Sequence, residues 1–374
     1  VHIAATQLGK DPVELRRRNL IAPEQMPFKT GLTFTYDCGE FEQLMDDCLE
    51  RSEHATFEMR RAEAAARGKL RGIGVSSTIE VAAGPQPETA ELRFDASGTL
   101  TILVGTTPHG QGHETIYKQL VCEVLGLEPH RVRVIEGDTD KVSFGTGTGG
   151  SRSATLGSAA VMAGVDKVVS KGRLIAAHAL ECAVEDIEFS NAEYRVVGTD
   201  RQVDFHQMAL DAFNPAKLPP GVEPGMYELA TFNPTAANFP NGCQVCEVEI
   251  DPDTGVIEML RHTTVGDVGV ELNPALVRGQ MHGGIVQGAG QALMEQMVYD
   301  DEGQLLSGSF MDYAMPRADD LCQMDVSSRP VPTATNPLGV KGAGESGTVG
   351  ALGCVMNAVN DALAPLGIAH VEMP

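Results

Sequence analysis

The chain has 374 residues, 42% of them apolar, and a formal net charge of -23 at pH 7. That length buries a sizeable core and points to two domains, while the acidic balance excludes a general affinity for nucleic acid or anionic membrane. No run of roughly 18 apolar residues, the length of a membrane span, exists, and no charged-then-apolar signal opens the chain. Its eight scattered cysteines read as free thiols of a cytoplasmic protein.

In chain order, VHIAATQLGKDPVELRRRNLI starts in mid-helix, the mark of a piece of a longer polypeptide. Asp11 caps a helix over residues 11–21 with Pro12 at its first position, and a second helix covers 40–67. From Gly72 the pattern alternates. GIGVSSTIEVA, ETAELRFD and TLTILVG read as strands, with Asp95–Gly98 turning between the last two. The loop TTPHGQGHET then enters an amphipathic helix ending at Gly126, VRVIEGDTD is a strand, and FGTGTGGSRSATLGSAAVMAG is a glycine-serine loop feeding another helix. A variable stretch over 180–230 separates the halves.

The second half repeats the plan. CQVCEVEID and GVIEMLRHTTV flank a turn at Asp251–Gly255, and ALVRGQMHGGIVQGAGQALMEQMVYD follows. HGQGHE and HGGIVQG echo one another, as duplication would leave them. The expected fold is α+β, two similar subdomains of a small mixed sheet covered by helices on one side. A helical leader takes 1–69, the first subdomain 70–235 and the second 236–374. Cys243 and Cys246 fall on opposite faces of a strand, which favours a structural role over a metal clip.

The chemistry concentrates in NPLGVKGAGESGTVGALGCVMN, residues 336–357. Gly342 and Gly344 free the backbone around one carboxylate, Glu345, and Ser346 stands ready to cap a helix. Glu345 has two readings, helix-end electrostatics or a base held at a helix N-terminus. The spacing Gly342-x-Gly344-x-x-Gly347 also matches a dinucleotide fingerprint, but NPLGVK is a poor strand and Glu345 would face a pyrophosphate. Lys341 is the one nearby cation and would weaken the base, so it is expected to point away. Three further loops offer site pieces. Gly110-Gln111-Gly112 sets an amide between glycines, and Gly145–Ser153 is a cradle for an anion without the Gly-Lys-Ser ending of a P-loop. Gln287 lies on a glycine-dense helix whose glycines serve either close helix packing or close ligand approach.

TPHGQGHET, the GSRS loop, GQMHGGIVQGAGQAL and GVKGAGESGT, in this order, resemble the large subunit of the molybdenum hydroxylases, the xanthine dehydrogenase/aldehyde oxidase family, in its aerobic carbon-monoxide-dehydrogenase branch. The resemblance covers nearly the whole chain and matches the C-terminal half of that subunit; the half with a GGGFGGK-like loop is absent. It implies that Glu345 is the catalytic base, activating water-derived oxygen toward an electron-poor carbon. It implies that Gly110, Gln111, Gly112, Ser151, Arg152, Ser153, Gln287, Lys341, Gly342 and Gly344 line the cofactor, a molybdenum–molybdopterin cytosine dinucleotide. The dithiolene holds the molybdenum, so no side chain is a metal ligand. Electrons are then expected to leave through Fe-S and FAD on a small and a medium partner subunit, in a dimer of heterotrimers that includes the N-terminal half. Gln111, Ser151, Gln287 and Glu345 are expected to converge on one cleft, and the isolated fragment to bind little cofactor. The alternatives are a non-catalytic partner chain and an NAD-binding oxidoreductase.

Overall fold

The computed structural model describes residues Val1–Pro374. Helices α1 (His2–Leu8) and α2 (Pro12–Arg17) and a ribbon of β1 (Phe28–Lys29) and β2 (Thr35–Tyr36) lead to α3 (Phe41–Arg51) and α4 (Phe57–Ala66). Then come β3 (Leu70–Ile79), β4 (Glu88–Phe94), β5 (Leu100–Val104), α5 (His113–Leu125), β6 (Val132–Ile135) and α6 (Ser158–Ala179). A small sheet of β7 (Ile187–Ser190), β8 (Glu193–Val196) and β9 (Gln202–Asp204) precedes α7 (Phe205–Asp211) and β10 (Tyr227–Phe232). The remainder is β11 (Asn241–Ile250), β12 (Ile257–Asp267), α8 (Pro274–Leu293), β13 (Met324–Ser328) and α9 (Ser346–Leu363). The local signals act as expected at several ends. Asp11 Oδ1 accepts from the N–H groups of Val13 and Glu14 at 2.8 Å, and Gly126 closes α5 with φ 65°. The expected helix over 40–67 is instead two, because the chain reverses at Glu53 with φ 53°.

The α+β chain divides into two compact units. The first holds residues 1–82, 238–334 and 339–374; the second holds 83–237 and 335–338. In the second unit the sheet order is β10-β4-β5-β6, with β6 parallel to β5 and the other pairs antiparallel. In the first it is β13-β12-β11-β3, with β13 parallel to β12 and the rest antiparallel. Each sheet is thus three antiparallel strands plus one parallel edge strand, reached through a crossover that contains α5 or α8. The parallel edge needs such a connection, whereas antiparallel neighbours can be joined by a tight turn.

The repeat differs in where its fourth strand comes from. β10 follows α6, whereas β3 precedes β11 and pairs with it from Leu70↔Ile250 to Asn241↔Ile79. The grouping of 70–79 with the strands after it is therefore corrected. Nor is 1–69 a separate leader: Leu44, Met45, Cys48 and Phe57 pack with Ile73, Val75, Cys243 and Val245 on one face of the first unit's sheet. The opposite face buries Cys246, Val248 and Ile250 against Cys354, Val355, Ala358 and Val359 of α9. Helices cover this sheet on both sides rather than one, and Cys243 and Cys246 do face opposite ways along β11. Gly74 sets the spacing of α9, since a Cβ there would lie 2.0 Å from Cys354 O. Long and apolar as α9 is, its apolar face is taken up by this core.

Candidate cofactor and active site

In the second unit, the loop before α5 and the loop before α6 are tied together. Thr148 Oγ1 donates to Thr107 O at 2.8 Å and accepts from Thr107 N–H at 3.1 Å. A Cβ on Gly145 would fall 2.2 Å from Gly105 Cα, so only glycine permits this contact. Gln111 closes its own turn, its Oε1 accepting from His109 N–H and its Nε2 donating to Thr107 O at 3.3 Å. Gly110 and Gly112 flank it at φ 92° and 83°, and both line an open cleft of about 520 Å³ with His113, Glu114, Glu136 and Asp138.

Behind the cleft lies a buried network that sequence reading missed. His113 Nδ1 is 2.9 Å from Glu136 Oε1, which also accepts from Thr106 Oγ1 at 2.5 Å. Tyr117 OH donates to Ser153 O at 3.2 Å and lies 3.2 Å from Thr106 Oγ1. Burial holds the Tyr117 phenol far above its ordinary range, so it serves as a neutral hydrogen-bonding group.

Arg152 and Ser153 are supports of the glycine loop. Arg152 is buried and pairs with Glu88 Oε2 at 2.9 Å, while its other donors hold Thr146 Oγ1 and the carbonyls of Gly147, Gln86 and Pro87. Burial raises the Glu88 carboxyl above its usual range. The guanidinium expected at a pyrophosphate is thus committed to the protein. Ser153 Oγ turns inward to Thr148 Oγ1 at 2.7 Å. What the loop presents is backbone: Gly149 and Gly150 have open space where a Cβ would sit. Ser151 has φ 52° and is followed by Arg152 in the right-handed helical region. That alternation makes a concave array of N–H groups, and it leads through a π-helical turn at Ser153–Gly157 into α6.

In the first unit, Glu345 occupies the N-cap position of α9, exposed to solvent beside exposed Gly344. Its side chain makes no capping bond to the helix, and Ser346 is the first helical residue rather than the cap. Glu345 stands at the helix N-terminus, where both the helix-end electrostatic reading and the base reading place it. Lys341 points away from it as expected: Lys341 Nζ donates to Asp267 Oδ2 at 2.5 Å with both side chains fully buried, and Lys341 N–H donates to Val268 O. A cofactor contact by this ammonium is therefore replaced by a structural pair. Gly342 N–H donates to Asn238 Oδ1 at 3.0 Å.

Gln287, exposed on α8, accepts from Thr348 Oγ1 at 3.1 Å, so it adjoins the first turn of α9. Gly284 and Gly288 resolve their own ambiguity in favour of packing, as Cβ atoms there would meet Gly347 Cα at 2.9 Å and Ala351 Cβ at 2.7 Å. HGGIVQG lies within α8, whereas HGQGHE is a loop running into α5, so the echo between them is not structural equivalence. The dinucleotide reading fails on the same geometry, because the last strand before Gly342 ends at Ser328 and no strand feeds the turn.

The glycine loop ahead of α6 and the glycine-bounded acid ahead of α9 are the candidate site pieces of this α+β protein. A family model described as molybdopterin cofactor-binding domain matches residues 47–322, and the chain belongs to that family. It is 34% identical to the carbon monoxide dehydrogenase large chain of Afipia carboxidovorans over 100% of this chain and 48% of the relative. Among solved structures, the Cu,Mo-CO dehydrogenase in its carbon monoxide reduced state superposes with TM-score 0.92 at 33% identity, covering 99% of this chain and 49% of that one. Quinoline 2-oxidoreductase from Pseudomonas putida 86 superposes with TM-score 0.91 at 35% identity, covering 98% and 49%. The chain spans about half the length of the relatives it matches.

Proposed function

We propose that this chain is the cofactor-holding part of a molybdenum hydroxylase large subunit, with Glu345 as the base. The observation that carries this is the buried pairing of Lys341 with Asp267, which commits the one cation of the Glu345 loop to the protein interior. The acid is exposed on a glycine-bounded turn while the nearest cation along the chain is locked onto Asp267. A base must keep its lone pair free of a fixed cation to accept a proton.

The second unit fits the nucleotide end of the expected cofactor. A pyrophosphate needs N–H donors without a facing carboxylate, and the Gly149–Ser151 turn offers backbone with the Glu88 charge already compensated by Arg152. The adjoining cleft carries Glu114, Glu136 and Asp138 and so suits a neutral group better than an anion. When bound, the cofactor supplies the metal redox centre at which a small substrate is oxidised with oxygen drawn from water. The protein then holds Gly110, Gly112 and Ser151 toward the pterin and its nucleotide, sets the Gln287 amide beside the first turn of α9, and takes up a proton on the Glu345 carboxylate. Carbon monoxide, an aldehyde and an N-heterocycle are the substrate candidates. The cytosine dinucleotide form, Fe-S and FAD partner subunits, a dimer of heterotrimers and a cytoplasmic setting complete the proposal. Metal and nucleotide analysis of the purified full-length complex tests it, with molybdenum and a pterin-linked cytosine nucleotide expected. Active enzyme without molybdenum would overturn it.

A further inference from the structure

The first turn of α9, which carries Glu345, is held from the sheet below by a pair of buried side chains. Gln244 on β11 donates from Nε2 to Gly347 O at 3.0 Å and to Ser346 O at 3.4 Å. Its other end, Oε1, lies 3.0 Å from His262 Nε2 on β12. Gln244 is 1% exposed and His262 0%. Gly350 makes room for the amide, since a Cβ there would sit 2.4 Å from Gln244 Nε2.

The chemistry of the pair sets its direction. A carbonyl oxygen only accepts, so His262 carries its proton on Nε2. That fixes the Gln244 amide with its NH₂ toward the two helix carbonyls. Had the amide been reversed, its oxygen would face two other oxygens. His262 Nδ1 has no hydrogen-bond partner, so the bond to Gln244 is the one its wholly buried ring makes. The same turn is clamped from the side by α8, through the contact of Gly347 with Gly284 and the bond of Thr348 to Gln287.

We infer that Gln244 and His262 are positioning residues for the base: they fix the first turn of α9, and with it the place and orientation of the Glu345 carboxylate. The inference rests on Glu345 being the base. Neither residue touches the reacting atoms, and both act through the backbone of Ser346 and Gly347. A base displaced by about 1 Å loses on the order of 10²-fold in rate, while binding of substrate and cofactor by other loops is untouched.

The test uses the full-length holoenzyme with Glu345→Gln, Gln244→Met, His262→Met and His262→Gln, measuring kcat, KM, the pH profile of kcat, molybdenum content and thermal midpoint. Gln244→Met and His262→Met are expected to lower kcat by about 10- to 100-fold with KM and molybdenum content near normal, and to shift the acidic limb of the kcat profile. His262→Gln, whose amide can still donate to Gln244 Oε1, is expected to restore most of the turnover lost in His262→Met. Normal kcat and an unshifted profile in Gln244→Met or His262→Met, with only the midpoint lowered, would overturn the inference while Glu345→Gln remained inactive. Near-normal turnover in Glu345→Gln overturns the base reading itself and the inference with it. Should Gln244→Met fail to fold, the contrast between the two His262 variants decides.

Discussion

Lys341 and Asp267 form a fully buried ion pair at 2.5 Å, joining the base of the Glu345 loop to the end of β12. Asp267 is also the acceptor for Asn241 Nδ2, Gly269 N–H and Val331 N–H, so one carboxylate gathers four segments. Lys341→Met removes the only cation of this cluster and strands a buried charge. The expected cost is about 3–5 kcal/mol, the usual penalty for breaking a buried pair from one side. Urea unfolding measures it, and a loss below about 1 kcal/mol would show that water reaches Asp267.

Glu345→Gln keeps size and hydrogen-bonding reach but accepts no proton. In the full-length enzyme kcat should fall by about 10²–10⁴-fold, the ordinary contribution of a general base. Molybdenum occupancy and thermal midpoint should stay near normal, since the residue is exposed and does not cap its helix. Full turnover at full occupancy would remove Glu345 from the mechanism.

Arg152→Met should release the glycine loop. Glu88, wholly buried, loses its cation, and Thr146 and the carbonyls of Gly147, Gln86 and Pro87 lose their donor. A loss of about 3–5 kcal/mol is expected, together with weaker retention of the nucleotide. Arg152→Lys should recover little, because an ammonium cannot span these acceptors as a planar fork does. Cofactor content after gel filtration distinguishes the variants, and a Lys variant indistinguishable from wild type would count against the latch.

The histidine beneath α9 makes stability depend on pH. Burial lowers the His262 pKa from 6.5 to about 4. The unfolded chain takes up this proton below about 6.5 and the folded one does not, so stability falls as pH drops from 6.5 toward 4 and levels off below. The full decline is about 3 kcal/mol. Burial lowers the His2 pKa to about 4 too and adds in the same direction. Denaturant titrations at pH 7.5, 5.5 and 4.5 (about one unit above and two steps below the ordinary histidine value) check this. His262→Gln should flatten the profile, and an unchanged slope in that variant would assign the effect elsewhere.

The elements themselves were legible in the sequence because strand alternation and glycine turns are local signals. Asp251–Gly255 and Asp95–Gly98 announce their hairpins, and the cap at Asp11 needs no knowledge of the fold. The partner of β3 was not legible. Either sheet accepts an antiparallel strand of that pattern, and its neighbour β11 arrives only at residue 241. The same distance hid the roles of Arg152 and Lys341, whose acids Glu88 and Asp267 lie 64 and 74 positions away. A readable hint existed in β4 and β12, where Glu88, Glu91 and His262 stand among strand residues bound for the interior. An ionisable group there demands a partner. The Glu345 turn was legible as a turn because Asn336-Pro337 and the glycines that follow are local breaker signals.

The placement of β3 has a consequence for how the chain acquires its fold during synthesis. Residues 83–237, nearly the whole second unit, are contiguous and close their sheet as soon as β10 emerges. β3 leaves the ribosome before all of them, yet Ile79 finds its partner only at Asn241. Until then its apolar residues Ile73 and Val75 have only α3 and α4 for cover, and its β11-facing edge is open. Unpaired edges of this kind invite association between chains. The nascent chain is therefore most exposed to misassembly while residues 83–237 are being made, and slowed elongation or substitutions that delay the second unit should lower soluble yield before they touch the finished site.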